Sequence, residues 1–201
     1  MLINKSDYRL AAWENRNNQK RKLAILQNKL DRHRTKNHFG LVSSNNNEYK
    51  DIFMDAFENR CCYCGVDFLI VGKKTVQIDH IDSSEPKDNT LKNLAPACFD
   101  CNQKKKDICD KHSLASIINP YNSIHNVFQR NDDYSICIKD GYIDNEDVRV
   151  FFEKLKLGSQ IKRIDYLLSC IRSIKDKQEN RFIKSCLSDI YNSLLDKRIM
   201  M

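Results

Sequence analysis

No run in this 201-residue chain approaches membrane-spanning length, and the opening residues MLINKSDYRL hold no apolar signal core. The expected location is therefore the cytoplasm, with no membrane partner. There is no internal repeat and no low-complexity tract beyond NNN at 45–47. Acidic charge is what the first 40 residues lack. They hold three acids (Asp7, Glu14, Asp31) against ten bases (Lys5, Arg9, Arg16, Lys20, Arg21, Lys22, Lys29, Arg32, Arg34, Lys36), a net of +7. The whole chain is also +7, so residues 41–201 balance. A basic N-terminal arm is a natural polyanion contact, and equally a solvated helix face; charge alone leaves both open.

What is present is otherwise ordinary for a globular protein, with 41% hydrophobic and 30% charged residues and enough length to bury a core. The nine cysteines are the exception. An odd number leaves at least one thiol unpaired. Two Cys-x-x-Cys pairs in a cytosolic setting point to a metal rather than to disulfides. Cys109, Cys137, Cys170 and Cys186 read as buried or half-buried thiols.

Along the chain, residues 6–36 read as a long polar helix with Leu23, Leu26 and Leu30 on one side. FGLVSSNNNEYKD follows as a linker, with Gly40 as a helix stop. Residues 49–58 form a short amphipathic helix. Pro120 breaks the chain near IINPYN. YSICIKDGYID reads as a hairpin turning at Asp140-Gly141. From Glu146 onward the pattern is helical, with one stripe through Ile161, Ile164, Leu167, Leu168, Ile171 and Ile174 and another through Phe182, Ile183, Leu187, Ile190 and Leu194. The expected division is a basic helical arm and linker over 1–48, a core over 49–112, and a hairpin with C-terminal helices over 113–201.

Cys61-x-x-Cys64 precedes Cys98-x-x-Cys101 by 33 residues. Four thiolates suit tetrahedral zinc, and each two-residue spacer turns both sulfurs toward one ion. Cys62 competes with Cys61, but only one residue separates it from Cys64, so Cys61 is the expected ligand. Gly65 sits where a tight turn needs a positive φ. Between the pairs lies TVQIDH. Strand alternation places Val76, Ile78 and His80 on one side and Gln77 and Asp79 on the other. Serving one site from both sides requires the strand to end or bulge there.

The order Cys61, Cys64, Gly65, Asp79, His80, Asn93, Leu94, Cys98, Cys101, Asn102, Lys105 resembles the HNH endonuclease family. The loop IDSSEPKDN departs from the Pro and Gly-Gly that many members carry after the histidine. The resemblance implies a ββα-metal fold, hence an α+β, mainly helical chain: a zinc-stabilised HNH core with flanking N- and C-terminal helices. It implies that His80 is the general base, that Asp79 and Asn102 hold one divalent ion, and that Asn93 orients the loop or the His80 ring. Oxygen ligands suit Mg2+ or Mn2+ beside the structural Zn2+. A near-neutral imidazole can take the proton of the attacking water. Lys104, Lys105 and Lys106 would meet a nucleic-acid backbone, DNA ahead of RNA.

The segments INPYN, Phe128, DGYI and FEKLKLGSQIKRIDYLL are similar, in that order, to the HNH nucleases of Septu-type and retron-linked antiphage systems. This implies an ABC/SMC-like ATPase partner and a role as a defence effector. The competing reading is a zinc-stabilised adaptor that binds nucleic acid or protein without cleavage. A thiol oxidoreductase is disfavoured, because no βαβ pattern surrounds either cysteine pair.

Overall fold

The structure, a computed structural model describing residues 2–15, 18–33, 37–44, 47–106, 108 and 112–201, begins with turns where a helix was expected. Asn4 is the reason. Its Oδ1 accepts from the backbone N–H of Ser6 (3.0 Å) and Asp7 (3.1 Å), while Nδ2 donates to the carbonyls of Ala11 (3.0 Å) and Glu14 (2.7 Å). Local side-chain bonds of this kind compete directly with the helical ladder. Helix α1 therefore covers only Gln19–Asp31, burying Leu26 and Leu30. α2 (His38–Ser43) lies within the expected linker and carries Gly40 inside it rather than ending there. α3 (Glu48–Ala56) matches the expected amphipathic helix and is capped by Asn47, which accepts from the Lys50 N–H at 2.8 Å.

After the short α4 (Phe68–Val71), strand β1 (Val76–His80) pairs antiparallel with β2 (Leu94–Cys98), in register from Val76↔Cys98 to His80↔Leu94. α5 (Phe99–Lys105) follows directly and packs on both strands, completing a ββα unit. Short helices α6 (His112–Ile117) and α7 (Ile124–Val127) lead to a second hairpin of β3 (Phe128–Arg130) and β4 (Ile136–Ile138). This hairpin turns earlier than expected, through 131–135. There Tyr134 adopts φ +71° and Asp133 Oδ1 accepts from the Ser135 N–H at 2.9 Å. Asp140-Gly141 instead opens a 3-10 turn leading to α8 (Glu146–Lys154). α9 (Gln160–Lys177) and α10 (Arg181–Ile199) close the chain as a helical pair.

The fold is thus α+β and mainly helical, with a ββα core. One hydrophobic cluster runs from Tyr8, Leu26 and Val42 through Phe53 and Leu94 to Phe151 and Leu157. Arg9, expected in a polyanion-binding arm, is 0% exposed: it pairs with Asp7 (2.8 Å) and donates to the carbonyls of Cys62 (2.7 Å) and Pro120 (3.2 Å). Arg16, Arg34 and Lys36 of the same arm lie outside the described residues, as does Cys109.

α9 is fastened to the core by Lys162–Asp100 (3.0 Å), Arg172–Asp67 (3.1 Å) and the Tyr166 hydroxyl donating to the Leu2 carbonyl (2.6 Å). α10 has no buried residue, and Phe182 on it is 77% exposed. Cys186, expected to be at least half-buried, is exposed there too. Among the described residues, no helix is long and apolar enough to cross a membrane.

Candidate functional site

The first cysteine knuckle is closed by its own backbone. The Gly65 N–H donates to the Cys61 carbonyl (3.0 Å) and the Cys61 N–H to the Val66 carbonyl (2.9 Å). Gly65 has φ +76°, and a Cβ there would lie 2.6 Å from the Arg9 Cα, so both conformation and space demand glycine. The second knuckle spans the end of β2 and the first turn of α5. The two meet. Sγ atoms of Cys61, Cys64, Cys98 and Cys101 all lie within 4.8 Å of one another, buried. Cys64 and Cys98 are 3.9 Å apart, against about 3.8 Å for the edge of a tetrahedron with Zn–S bonds near 2.3 Å. Cys62 is buried but stands outside this group, so Cys61 is the ligand that fits. Burial is outweighed at Cys61 by hydrogen bonds from Cys101, Cys62, Cys64 and Cys98, which hold that thiol well below its ordinary value, whereas hydrogen bonding with Cys61, Cys64 and Cys98, then burial, holds the Cys101 thiol well above it. A divalent ion favours the thiolate at every ligand, and the donor set fits zinc.

β1 has one free edge, and α5 lies on one face of it and α2 on the other. A cleft of about 580 Å3 runs along that edge, lined by all of β1, by Phe39 and Ser43 of α2, Lys50 of α3, Lys74, Ser83, Pro86, Asn102 of α5 and Lys106 just after it. The open edge, together with the end of β1 at His80, lets residues from opposite strand faces reach one site.

On the α5 face, Gln77 and Asp79 meet Asn102 and Lys105, pairs set by the two-residue strand period and the three-residue helix spacing. Asn102 Nδ2 donates to Gln77 Oε1 at 2.5 Å, leaving Asn102 Oδ1 as the uncommitted end. Asp79 Oδ2 accepts from the Tyr63 hydroxyl (2.5 Å) and pairs with Lys105 Nζ (3.0 Å). Nothing among the described residues hydrogen-bonds Asp79 Oδ1. Burial, the largest influence, pushes the Asp79 carboxyl above its ordinary value, against the pull of Lys105, Tyr63 and His80.

Lys105 corrects an expectation. Only 1% exposed at the side chain, it turns inward onto Asp79 and donates to the His80 carbonyl at 2.6 Å, so it does not face a nucleic-acid backbone. Lys104 is held by Asp100 at 2.6 Å, and Lys106 is exposed at the cleft.

On the other face, the His80 ring stacks on Phe39 with centroids 5.1 Å apart and planes 19° apart. His80 Nε2 lies 2.9 Å from Asn89 Oδ1. An amide oxygen only accepts, so Nε2 carries the proton and Nδ1 the lone pair. Asn93 takes the loop rather than the ring: Oδ1 accepts from the Asp82 N–H (2.8 Å), and Nδ2 donates to the carbonyls of Asp82 (3.3 Å), Glu85 (3.2 Å) and Asp88 (3.2 Å). The Asn89 carbonyl is in turn anchored by the His38 N–H of α2 at 3.0 Å.

A model of the HNH endonuclease family matches residues 61–107. The matched segment starts at the first knuckle, contains β1, β2 and the second knuckle, and ends just past α5, while Phe39, Ser43 and Lys50 reach the cleft from outside it. No curated protein and no solved structure matches the chain. Asn89, Tyr63 and Phe39 escape a reading by motif. Tyr63, inside the first knuckle, carries the one signal that could have singled it out.

Proposed function

We propose that this chain is a metal-dependent HNH endonuclease that hydrolyses phosphodiester bonds in nucleic acid, DNA ahead of RNA. The observation that carries it is the meeting of His80, Asp79 and Asn102 at one cleft beside a four-cysteine cluster. In this reading His80 Nδ1 removes the proton of the attacking water, and Asn89 and Phe39 hold the ring for that task. Asp79 Oδ1 and Asn102 Oδ1 would hold one Mg2+ or Mn2+, which when bound supplies charge for the phosphate and the leaving oxygen. Asn93 keeps the loop after His80 in shape, and Cys61, Cys64, Cys98 and Cys101 would hold zinc that fixes α5 against the strands. Lys74 and Lys106 are exposed cations at the cleft and would meet the sugar-phosphate backbone.

A second reading has an observation of its own. Asp79 is already satisfied by Lys105 and Tyr63, as a structural carboxylate in a non-cleaving adaptor would be. Cleavage of plasmid DNA and of RNA in Mg2+, with an EDTA control and His80→Ala, separates the two. Cleavage lost in both controls supports the nuclease; nucleic-acid binding without cleavage in Mg2+ or Mn2+ supports the adaptor. We further propose a cytoplasmic effector of an antiphage complex with an ABC/SMC-like ATPase. The uncovered α10 is the surface that supports a protein partner. Co-purification tests it: a chain truncated after Lys177, lacking α10, that still binds the partner fully rules out docking through that helix.

A further inference from the structure

Tyr63 is a residue of the zinc knuckle whose side chain leaves the knuckle. It is fully buried, its ring meets Phe151 of α8 edge-on at 5.8 Å, and its peptide carbonyl accepts from the Tyr8 hydroxyl. The preceding carbonyl, of Cys62, is held by Arg9 at 2.7 Å. Backbone and ring are thus fixed by the N-terminal turns, the C-terminal region and the cysteine cluster together. From this anchored position the hydroxyl donates to Asp79 Oδ2 at 2.5 Å, the same oxygen that Lys105 reaches at 3.0 Å. Two donors on one carboxylate oxygen define the rotation of the group. They leave Oδ1, which no described residue hydrogen-bonds, as the oxygen available to a cation.

We propose that Tyr63 is a positioning residue for the catalytic divalent ion, its hydroxyl pinning Asp79 Oδ2 so that Oδ1 is presented as ligand. This rests on the nuclease reading, in which Asp79 binds the ion. It assigns a direct line from the zinc knuckle to the catalytic carboxylate: Cys61 and Cys64 flank Cys62 and Tyr63, and Tyr63 sets Asp79. Partners that orient a metal-binding side chain typically affect metal affinity about 10- to 100-fold when removed. A tyrosine that merely fills the core would not move that affinity.

The test is Mn2+ binding to the zinc-loaded full chain, followed by the EPR signal of free Mn2+, for wild type, Tyr63→Phe, Asp79→Asn and the control Tyr142→Phe. Phenylalanine keeps the ring against Phe151 and removes one donor. Tyr63→Phe is expected to keep its zinc and weaken Mn2+ binding about ten-fold or more, with Tyr142→Phe unchanged. An unchanged affinity in Tyr63→Phe, with binding lost in Asp79→Asn, overturns the positioning role and leaves the nuclease reading intact. An unchanged Mn2+ affinity in Asp79→Asn removes the Asp79 carboxylate from the ion and overturns the positioning role with it, while cleavage of nucleic acid in Mg2+ decides the nuclease reading separately. If Tyr63→Phe does not keep zinc, the wild type decides by proton NMR. The buried Tyr63 hydroxyl resonance is expected to move on Mg2+ addition, and a resonance that stays put overturns the proposal.

Discussion

The chemistry of single residues turns on which atom each one has free. Asn89 accepts from His80 Nε2, so in the proposed nuclease the base would be Nδ1, and the two roles on one ring depend on a residue nine positions away in a loop. Replacing His80 by Ala is expected to lower cleavage by about 10²–10⁴-fold with the fold intact. Asn89→Ala leaves the imidazole in place but releases its tautomer and tilt, and is expected to cost about 10- to 100-fold, as a small misplacement does. Plasmid-cleavage rates, with circular dichroism as a folding control, measure both; an Asn89→Ala enzyme as fast as wild type contradicts the assignment. His80, Asp79, Asn102 and the four cysteines were legible because their spacing is itself the signal. Asn89, Tyr63 and Phe39 were not, because each acts through the path of a loop or helix that local pattern does not specify. Lys105 was legible as a motif position and misread in direction. A lysine in a basic run looks solvated until a buried carboxylate is found beneath it.

Elements were readable where one periodicity ran uninterrupted and unreadable where side chains compete for the backbone. α3 and the helices after Glu146 form where their periodicity indicates, although α9 buries Lys162, Asp165 and Tyr166 beside Ile164 and Leu168 and α10 buries nothing, whereas the helix expected from residue 6 yields to Asn4. The ββα unit depends on its knuckles. Structural zinc in small domains contributes an apparent binding energy of about 10–16 kcal/mol. Cys98→Ser is therefore expected to lose zinc and unfold residues 61–107 locally, read as proteolysis within that segment and a fall in zinc content; full zinc with normal melting contradicts it. A different balance governs the α9–α10 pair, where Arg198 reaches Asp165 at 2.5 Å. Burial holds the Asp165 carboxyl above its ordinary value despite Arg198 and Lys162. A carboxyl raised in the fold contributes stability that is full below its unfolded value of about 3.9 and lost as pH rises through the folded value. Wild type should therefore gain on Asp165→Asn as pH falls from 7 to 4. Melting temperatures across that range check the sign, and a variant whose relative stability improves on acidification contradicts it.

At the scale of the whole molecule, the basic arm dissolves into the core. Tyr8, Arg9, Leu26 and Leu30 are buried, so removing the first 36 residues would break the fold instead of testing a contact. The excess positive charge of those residues was legible, but not that part of it is spent internally, on Asp7 by Arg9 and on Asp55 and Glu58 by Lys22. Lys5, Lys20, Arg21 and Arg32 of that region stay exposed, Lys20 and Arg21 side by side on α1, and outside it Lys74 and Lys106 are exposed at the cleft. Salt distinguishes them. Each phosphate neutralised on duplex DNA releases counterions and contributes about −0.9 to the slope of log affinity against log salt. Measured with the His80→Ala protein, expected to bind without cutting, Lys74→Ala combined with Lys106→Ala is expected to flatten that slope by up to about 1.8. Lys20→Ser with Arg21→Ser is expected to leave it unchanged. The opposite pattern would place the nucleic acid over α1 and make the cleft lysines incidental to binding. Flattening by both pairs would mean that a bound duplex extends from the cleft onto α1, and that the charge excess of the N-terminal region serves the same substrate as the metal site.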